Sequence, residues 1–222
     1  MTLFICGDST AAAYVPEETE MTGWGQVIGA FLPEVVVDNR SFPGRSTRTF
    51  LAEGRLDAIV PHLQPHDLLL IQFGHNDGGN KPERHTEPWT DFMSNLRIFV
   101  ECARKKGAVP VLLTPICVRN WQDGMLQPSH GAYVDAVRAL AADECIPLID
   151  LYQKSHEVQS LLGEAGSRRF HLHLLPGQDM RHPDGMDDDT HTSLTGALCY
   201  ASIVSERLRQ MGLIPQTDHS GK

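Results

Sequence analysis

The sequence predicts a three-layer α/β/α sandwich around five parallel strands, and three observations carry that expectation. Short apolar runs alternate with amphipathic helical segments, the order in which a parallel sheet acquires crossover helices on both faces. The run from Leu68 to Phe73 is almost wholly apolar. A chain of 222 residues with 41% hydrophobic content is long enough to bury one core, so a single domain spanning 1–222 is expected.

The strand runs are Leu3 to Cys6, Val35 to Asp38, Leu68 to Phe73, Val109 to Leu113 and Ile146 to Ile149. Helices are expected over Trp24 to Leu32, Thr47 to Val60, Trp89 to Lys105, Ser129 to Asp143, Tyr152 to Leu162 and Ser193 to Met211. In the third of these, Phe92, Leu96, Phe99, Val100 and Ala103 recur at helical spacing, and Lys105-Lys106-Gly107 supplies a cationic end and a glycine stop. Right-handed crossovers put any site at the C-terminal edge of the sheet, where the strand order reverses. Gly163 to Asp189 is the longest stretch without clear periodicity, and a long loop in a compact domain is more often functional than idle.

Composition removes several function classes. The formal net charge is -9 and the basic residues are scattered, so a nucleic acid partner is not expected. No apolar run approaches the roughly 18 to 20 residues that span a bilayer, so no membrane partner is expected either. Five cysteines, without a C-x-x-C pair, read as free thiols in a reducing compartment. Leu3 to Cys6 follows Met1 without the basic start or the length of an export signal, so a cytoplasmic location is expected.

The chemistry-bearing residues fall at strand ends. The first strand runs into Gly7-Asp8-Ser9-Thr10, which places Ser9 at the C-terminal edge of the sheet; the same residues could simply cap a helix. The loop after the second strand, Asn39 to Thr47, contains Pro43-Gly44, where a glycine can offer its N–H to an anion, or merely turn. The third strand ends in Gly74-His75-Asn76-Asp77, where Asn76 either projects a carboxamide donor from that edge or satisfies turn backbone. Near the C-terminus, Asp188 and His191 stand three apart, a spacing at which they meet within one helical turn. A carboxylate there would fix the imidazole tautomer for a serine, although a solvated acidic loop with a helix cap has the same composition. The conjunction of a nucleophile, two anion donors and an acid-histidine pair on one sheet edge favours catalysis.

Gly7-Asp8-Ser9, Gly44, Gly74-His75-Asn76-Asp77 and the D-x-x-H of Asp188 to His191 resemble, in order and spacing, the four sequence blocks of the SGNH (GDSL-like) hydrolase superfamily. Within it, Gly23-Trp24-Gly25, the stretch from Asn39 to Arg48 and Asp189-Thr190-His191 are similar to the rhamnogalacturonan acetylesterase branch, which deacetylates pectin-type sugars. The resemblance spans almost the whole chain. It implies a flavodoxin-like SGNH hydrolase fold and a serine esterase that needs no cofactor. It implies Ser9 as nucleophile, Asp188 and His191 as the rest of the triad, and an oxyanion hole of the Ser9 and Gly44 N–H groups with the Asn76 side chain. Asp8, Trp24, Arg45 and His75, beside these positions, are expected to contact an acetylated sugar or oligosaccharide. Ser41-Phe42-Pro43 stands where the family commonly has smaller residues, which bears on the shape of that loop.

Other readings compete with this one. A broader SGNH carboxylesterase or lysophospholipase-like hydrolase would act on longer acyl chains, and a flavodoxin-like binding module would use the same loops for a phosphorylated ligand. The second needs a phosphate cradle, and Gly7-Asp8-Ser9-Thr10 puts a carboxylate there instead. The absence of a G-x-S-x-G elbow argues against an α/β-hydrolase. His171, His173, His182 and His191 lack zinc-ligand spacing, so no metal is expected. Trp89 and Trp121 could line the cleft or another surface.

Overall fold

Alternation within the strands decides the layers. In strand β1 (Thr2–Gly7), Leu3 and Ile5 face one side and Phe4 and Cys6 the other, and β3 (Leu68–Gln72) repeats the pattern with Leu68 and Leu70 against Leu69 and Ile71. These eight side chains are at most 3% exposed, so both faces of the sheet are covered. The computed structural model describes residues 1–214, and the last positions of the expected 1–222 domain lie outside the described residues.

Five parallel strands form the sheet, in the order β2 (Val36–Asn39), β1, β3, β4 (Val109–Leu113) and β7 (Leu148–Ile149). Between β4 and β7 lies a small hairpin of β5 (Trp121–Gln122) and β6 (Met125–Leu126), and later a second hairpin pairs β8 (His171–Leu174) with β9 (Met186–Thr192). Helices α2 (Thr47–Ala52), α3 (Met93–Lys105) and α4 (Ala132–Asp143) cover the Phe4 face through Phe50, Phe99 and Leu140. Helices α1 (Trp24–Val27), α5 (Leu151–Ser167) and α6 (Leu194–Gln210) cover the Leu3 face through Trp24, Leu151 and Tyr200. The strand order reverses at β1, which pairs with both β2 and β3. The crevice of such a sheet opens at the C-terminal ends of those strands, where Gly7 pairs with Gln72.

Several boundaries differ from the sequence expectations. The helix expected to reach Val60 stops at Ala52, because Gly54 adopts a φ of 67° that ends it, and Pro61 sits in a separate 3₁₀ turn over Val60–His62. The first helix is a single turn continued by a 3₁₀ turn over Ile28–Ala30 rather than reaching Leu32. A π turn over Pro88–Phe92 precedes α3, and α4 starts at Ala132 rather than at Ser129. The last sheet strand is confined to Leu148–Ile149, since Pro147 has no N–H for the ladder. Gly163 to Asp189 is irregular only in part: α5 continues to Ser167 across a kink at Gly163, and β8 and β9 flank an irregular connection over residues 175–185. No helix among the described residues is long and apolar enough to cross a membrane.

Candidate active site

The turn after β1 is fixed by a chain of buried polar groups. Asp8 Oδ1 accepts from the Thr10 N–H at 3.0 Å and from Thr10 Oγ1 at 2.9 Å. Thr10 Oγ1 accepts from Gln72 Nε2 at 3.1 Å, and Gln72 Oε1 accepts from Trp24 Nε1 at 2.5 Å. On its other oxygen, Asp8 accepts from His75 Nδ1 at 3.1 Å. Burial would raise the Asp8 pKa, but the His75 charge and hydrogen bond and the Thr10 donors outweigh it, holding the carboxyl below its ordinary range. No helix follows Ser9, so its hydroxyl caps nothing. The Tyr14 hydroxyl donates to the Ser9 carbonyl at 2.9 Å and steadies the turn from outside.

This network corrects three sequence expectations. Asp8 and Trp24 are completely buried and cannot contact a substrate; they shape the turn that presents Ser9. The His75 side chain is 6% exposed, bonded to Asp8 and packed edge-on to His130 with ring centroids 4.4 Å apart. His130 in turn donates from Nε2 to the Ile116 carbonyl at 2.9 Å, and burial next to His75 depresses its pKa to about 3. His75 therefore belongs to the support beneath the site.

Asp188 and His191 meet in a different way from the helical turn their spacing suggested. Both lie on β9, where Leu172 pairs with Asp188 but the neighbouring His171 pairs with Thr192. Residues 189–191 are consequently extruded as a bulge, a device that re-aims a side chain out of a ladder. Asp188 Oδ1 ties the bulge by accepting from the Thr190 and His191 N–H groups at 2.8 and 2.9 Å. Asp188 Oδ2 accepts from His191 Nδ1 at 2.7 Å. A carboxylate cannot donate, so the Nδ1 proton is fixed there and Nε2 is left as the acceptor, 3.1 Å from Ser9 Oγ. The Asp188 hydrogen bond holds the His191 pKa above its ordinary value against the effect of burial. Asp188 itself is depressed, because the bonds from His191 and Thr190 overcome its partial burial.

Thr192 Oγ1 donates to the Thr22 carbonyl at 2.5 Å, pinning the base of the bulge to the loop before α1. The adjacent Asp189 points away, to Arg119 Nη1 at 2.8 Å and His173 Nε2 at 2.8 Å. Among the described residues no group of three or more His, Cys, Asp or Glu side chains could hold a metal ion.

Gly44 and Asn76 lie on the loops after β2 and β3, at the same sheet edge. Gly44 has a φ of 74°, which explains a glycine at this position. Among the described residues the N–H groups of Ser9 and Gly44 donate no intramolecular hydrogen bond. Asn76 Nδ2 donates to the Arg45 carbonyl at 3.1 Å and its Oδ1 accepts from Arg84 Nη1 at 3.2 Å, leaving one Nδ2 proton for a ligand. Asp77 closes the motif from behind, accepting from the Thr47 N–H and hydroxyl at 3.0 and 2.6 Å and from the Thr86 hydroxyl at 3.0 Å. Arg45, expected at the substrate, instead pins its own loop. It pairs with Glu53 at 3.0 Å, donates to the Pro43 carbonyl and lies over the Phe42 ring at 4.5 Å. Trp89 is exposed, and Trp121 bonds to Ser167.

A nucleophile, a base with a fixed tautomer, an orienting carboxylate and unspent N–H donors on one edge are the parts required for acyl transfer. The family model described as "GDSL-like Lipase/Acylhydrolase family" matches residues 5–197. The chain belongs to this family. Membership makes this acylhydrolase an esterase. Over 219 residues it is 41% identical to the rhamnogalacturonan acetylesterase RhgT of Bacillus subtilis (strain 168), covering 98% of this chain and 93% of that one. It is 37% identical to the probable rhamnogalacturonan acetylesterase YesY of the same organism, covering 95% and 94% of the two chains. Among solved structures, the Bacillus subtilis protein YxiM superposes with a TM-score of 0.79 at 26% identity, covering 95% of this acylhydrolase and 56% of that chain. The acetylxylan esterase Axe2 of Geobacillus stearothermophilus superposes with a TM-score of 0.63 at 19% identity, covering 95% and 94%, a likeness of fold.

Arg119, Arg84, Tyr14 and Gln72 were not legible as site residues. The Gln72–Thr10 and Arg119–Asp189 bonds close over 62 and 70 positions, and no motif of the sequence carries such a pairing. A cavity of about 430 Å³ lies against β8 and the start of α6, lined by Arg168, His171 and Ser193 and by none of Ser9, Asp188 or His191.

Proposed function

We propose that this esterase removes O-acetyl groups from rhamnogalacturonan-type oligosaccharides, with Ser9, His191 and Asp188 as its triad. The observation that carries the chemistry is the relay from Asp188 Oδ2 through His191 to Ser9 Oγ, at 2.7 and 3.1 Å. His191 Nε2 takes the Ser9 hydroxyl proton as Oγ bonds to the acetyl carbon. The Ser9 and Gly44 N–H groups and Asn76 Nδ2 receive the oxyanion. The bond from the acetyl carbon to the sugar oxygen then breaks, the sugar leaves with the proton from His191, and water repeats the sequence to release acetate. The substrate class is supported by the two relatives of 41% and 37% identity named for that activity. All five cysteines are unpaired, which suits a reducing compartment and supports a cytoplasmic location acting on short oligosaccharides.

The experiment compares kcat/KM for p-nitrophenyl acetate, butyrate and octanoate, then acetate release from acetylated rhamnogalacturonan, xylan and chitin oligosaccharides, each with wild type and Ser9→Ala. Acetyl esters should be preferred, rhamnogalacturonan fragments should be the best sugars, and Ser9→Ala should lose at least about 10³-fold in kcat. Efficiency rising toward octanoate would replace this reading with a lipolytic one.

A further inference from the structure

Arg84 stands in the loop after Asp77 and has no part in the mechanism above, yet its guanidinium bonds one of the groups assigned to the oxyanion, Asn76, and lies beside a second, Gly44. Nη1 donates to Asn76 Oδ1 at 3.2 Å. A methyl group built on Gly44 would lie 3.2 Å from Nη2 and 3.3 Å from Nη1, so the same planar group occupies the space a side chain at Gly44 would take.

Its pairing is unlike that of its neighbours. Arg45 is paired with Glu53 and Arg48 with Asp91. Among the described residues no carboxylate lies within ion-pair distance of Arg84, and its one bonded partner is a neutral carboxamide. A guanidinium carries five N–H donors in a rigid fork that matches a carboxylate. One is spent on Asn76, and the side chain is partly exposed. An unpaired fork at this place favours a substrate that brings its own anion next to the scissile ester.

We propose that Arg84 is the specificity-determining residue of the site: it binds the carboxylate of the uronosyl unit that carries or adjoins the acetyl group, while holding the Asn76 carboxamide in register. The inference rests on the sugar-acetylesterase reading and deepens it by naming the feature of the sugar that is recognised and the residue that recognises it. Uronosyl units with a free carboxylate should be good substrates, and the same units as methyl esters poor ones.

The test measures kcat/KM for acetate release from one acetylated uronate oligosaccharide in two forms, free acid and methyl ester, with wild type, Arg84→Gln and Arg84→Lys. The ratio of the two values cancels any loss transmitted through Asn76, which both forms share. In wild type the free acid should be favoured about tenfold or more, mainly through KM, as expected for one charge-assisted pair. Arg84→Gln should bring the ratio close to unity, and Arg84→Lys, which keeps the charge but loses the fork, should leave an intermediate ratio. A wild-type ratio within about twofold of unity, or a ratio unchanged in Arg84→Gln, overturns the proposal while acetate release continues. Should Arg84→Gln be inactive, an unchanged ratio in Arg84→Lys overturns it equally. If wild type cleaves p-nitrophenyl acetate but releases acetate from neither sugar form, the acetylesterase reading itself has failed and the proposal falls with it.

Discussion

Arg119 holds Asp189 twice, donating from its backbone N–H to the Asp189 carbonyl at 3.0 Å and from Nη1 to the carboxylate at 2.8 Å. The rest of the buried guanidinium donates to Ser167 Oγ at 3.1 Å and to the Glu164 carbonyl at 2.7 Å. The loop after β4, the end of α5 and the β9 bulge thus form one unit, and His191 rides on it two residues beyond Asp189.

Arg119→Met, which keeps the volume but none of the donors, should therefore cost about 2 kcal/mol in stability through the polar groups it orphans. It should also lower kcat by about tenfold or more by loosening the bulge, since small misplacements of a reacting group are expensive. Denaturant titration and acetyl ester kinetics measure the two effects. Full activity in a destabilised variant would show that the bulge holds His191 without Arg119.

Of the three adjacent aspartates, Asp188 alone bonds His191. Asp188→Asn should lower kcat on the order of 10³ to 10⁴-fold, because a carboxamide no longer enforces the tautomer with Nε2 unprotonated. Asp189→Asn, which keeps an acceptor oxygen for Arg119, and Asp187→Asn should cost far less. Steady-state kinetics of the three variants decide the matter, and a crippled Asp189→Asn would count against the assignment.

The pH profile follows from the same pair. The base must be neutral, so kcat/KM should fall as pH drops through the His191 pKa, and the Asp188 hydrogen bond puts that limb above 6.5. In Asp188→Asn the residual activity should show the limb displaced to lower pH, as the stabilised imidazolium is lost. A pH-rate series on p-nitrophenyl acetate tests this, and identical limbs in the two proteins would contradict it.

Asp77 gives a stability prediction of opposite character to a salt-bridged acid. Burial pushes its pKa from 3.8 to about 6 in spite of the Thr47 and Thr86 bonds, and its Oδ2 has no hydrogen-bond partner among the described residues. Its folded-state pKa is raised, so the stabilisation tied to its protonation is fully present below pH 3.8 and is lost as pH rises through about 6. Asp77→Asn cannot titrate, so its stability relative to wild type should rise between pH 4.5 and 7.5 in urea titrations. A constant difference across that window would refute the assigned shift.

The residues of the candidate site could be picked out because each stands in a short contiguous block at a strand end: Gly7-Asp8-Ser9, Pro43-Gly44, Gly74-His75-Asn76-Asp77 and Asp188 to His191. The five-stranded parallel sheet was equally legible from short apolar runs spaced by helical segments, since a strand covered on both faces is apolar along nearly its whole length. The sequence alone therefore determined the fold class and which side chains stand at the C-terminal edge. Tertiary structure decided what each does there. It buried Asp8 and Trp24, which share their blocks with Ser9 and Gly25, because the turn after β1 must satisfy its polar groups inside the protein. It replaced the expected helical turn between Asp188 and His191 by a bulge, since the pairing of β9 with β8 is a contact between distant segments. It also brought Arg84 to Gly44 and Arg119 to Asp189, because a guanidinium reaches its partner through space and leaves no trace in spacing along the chain.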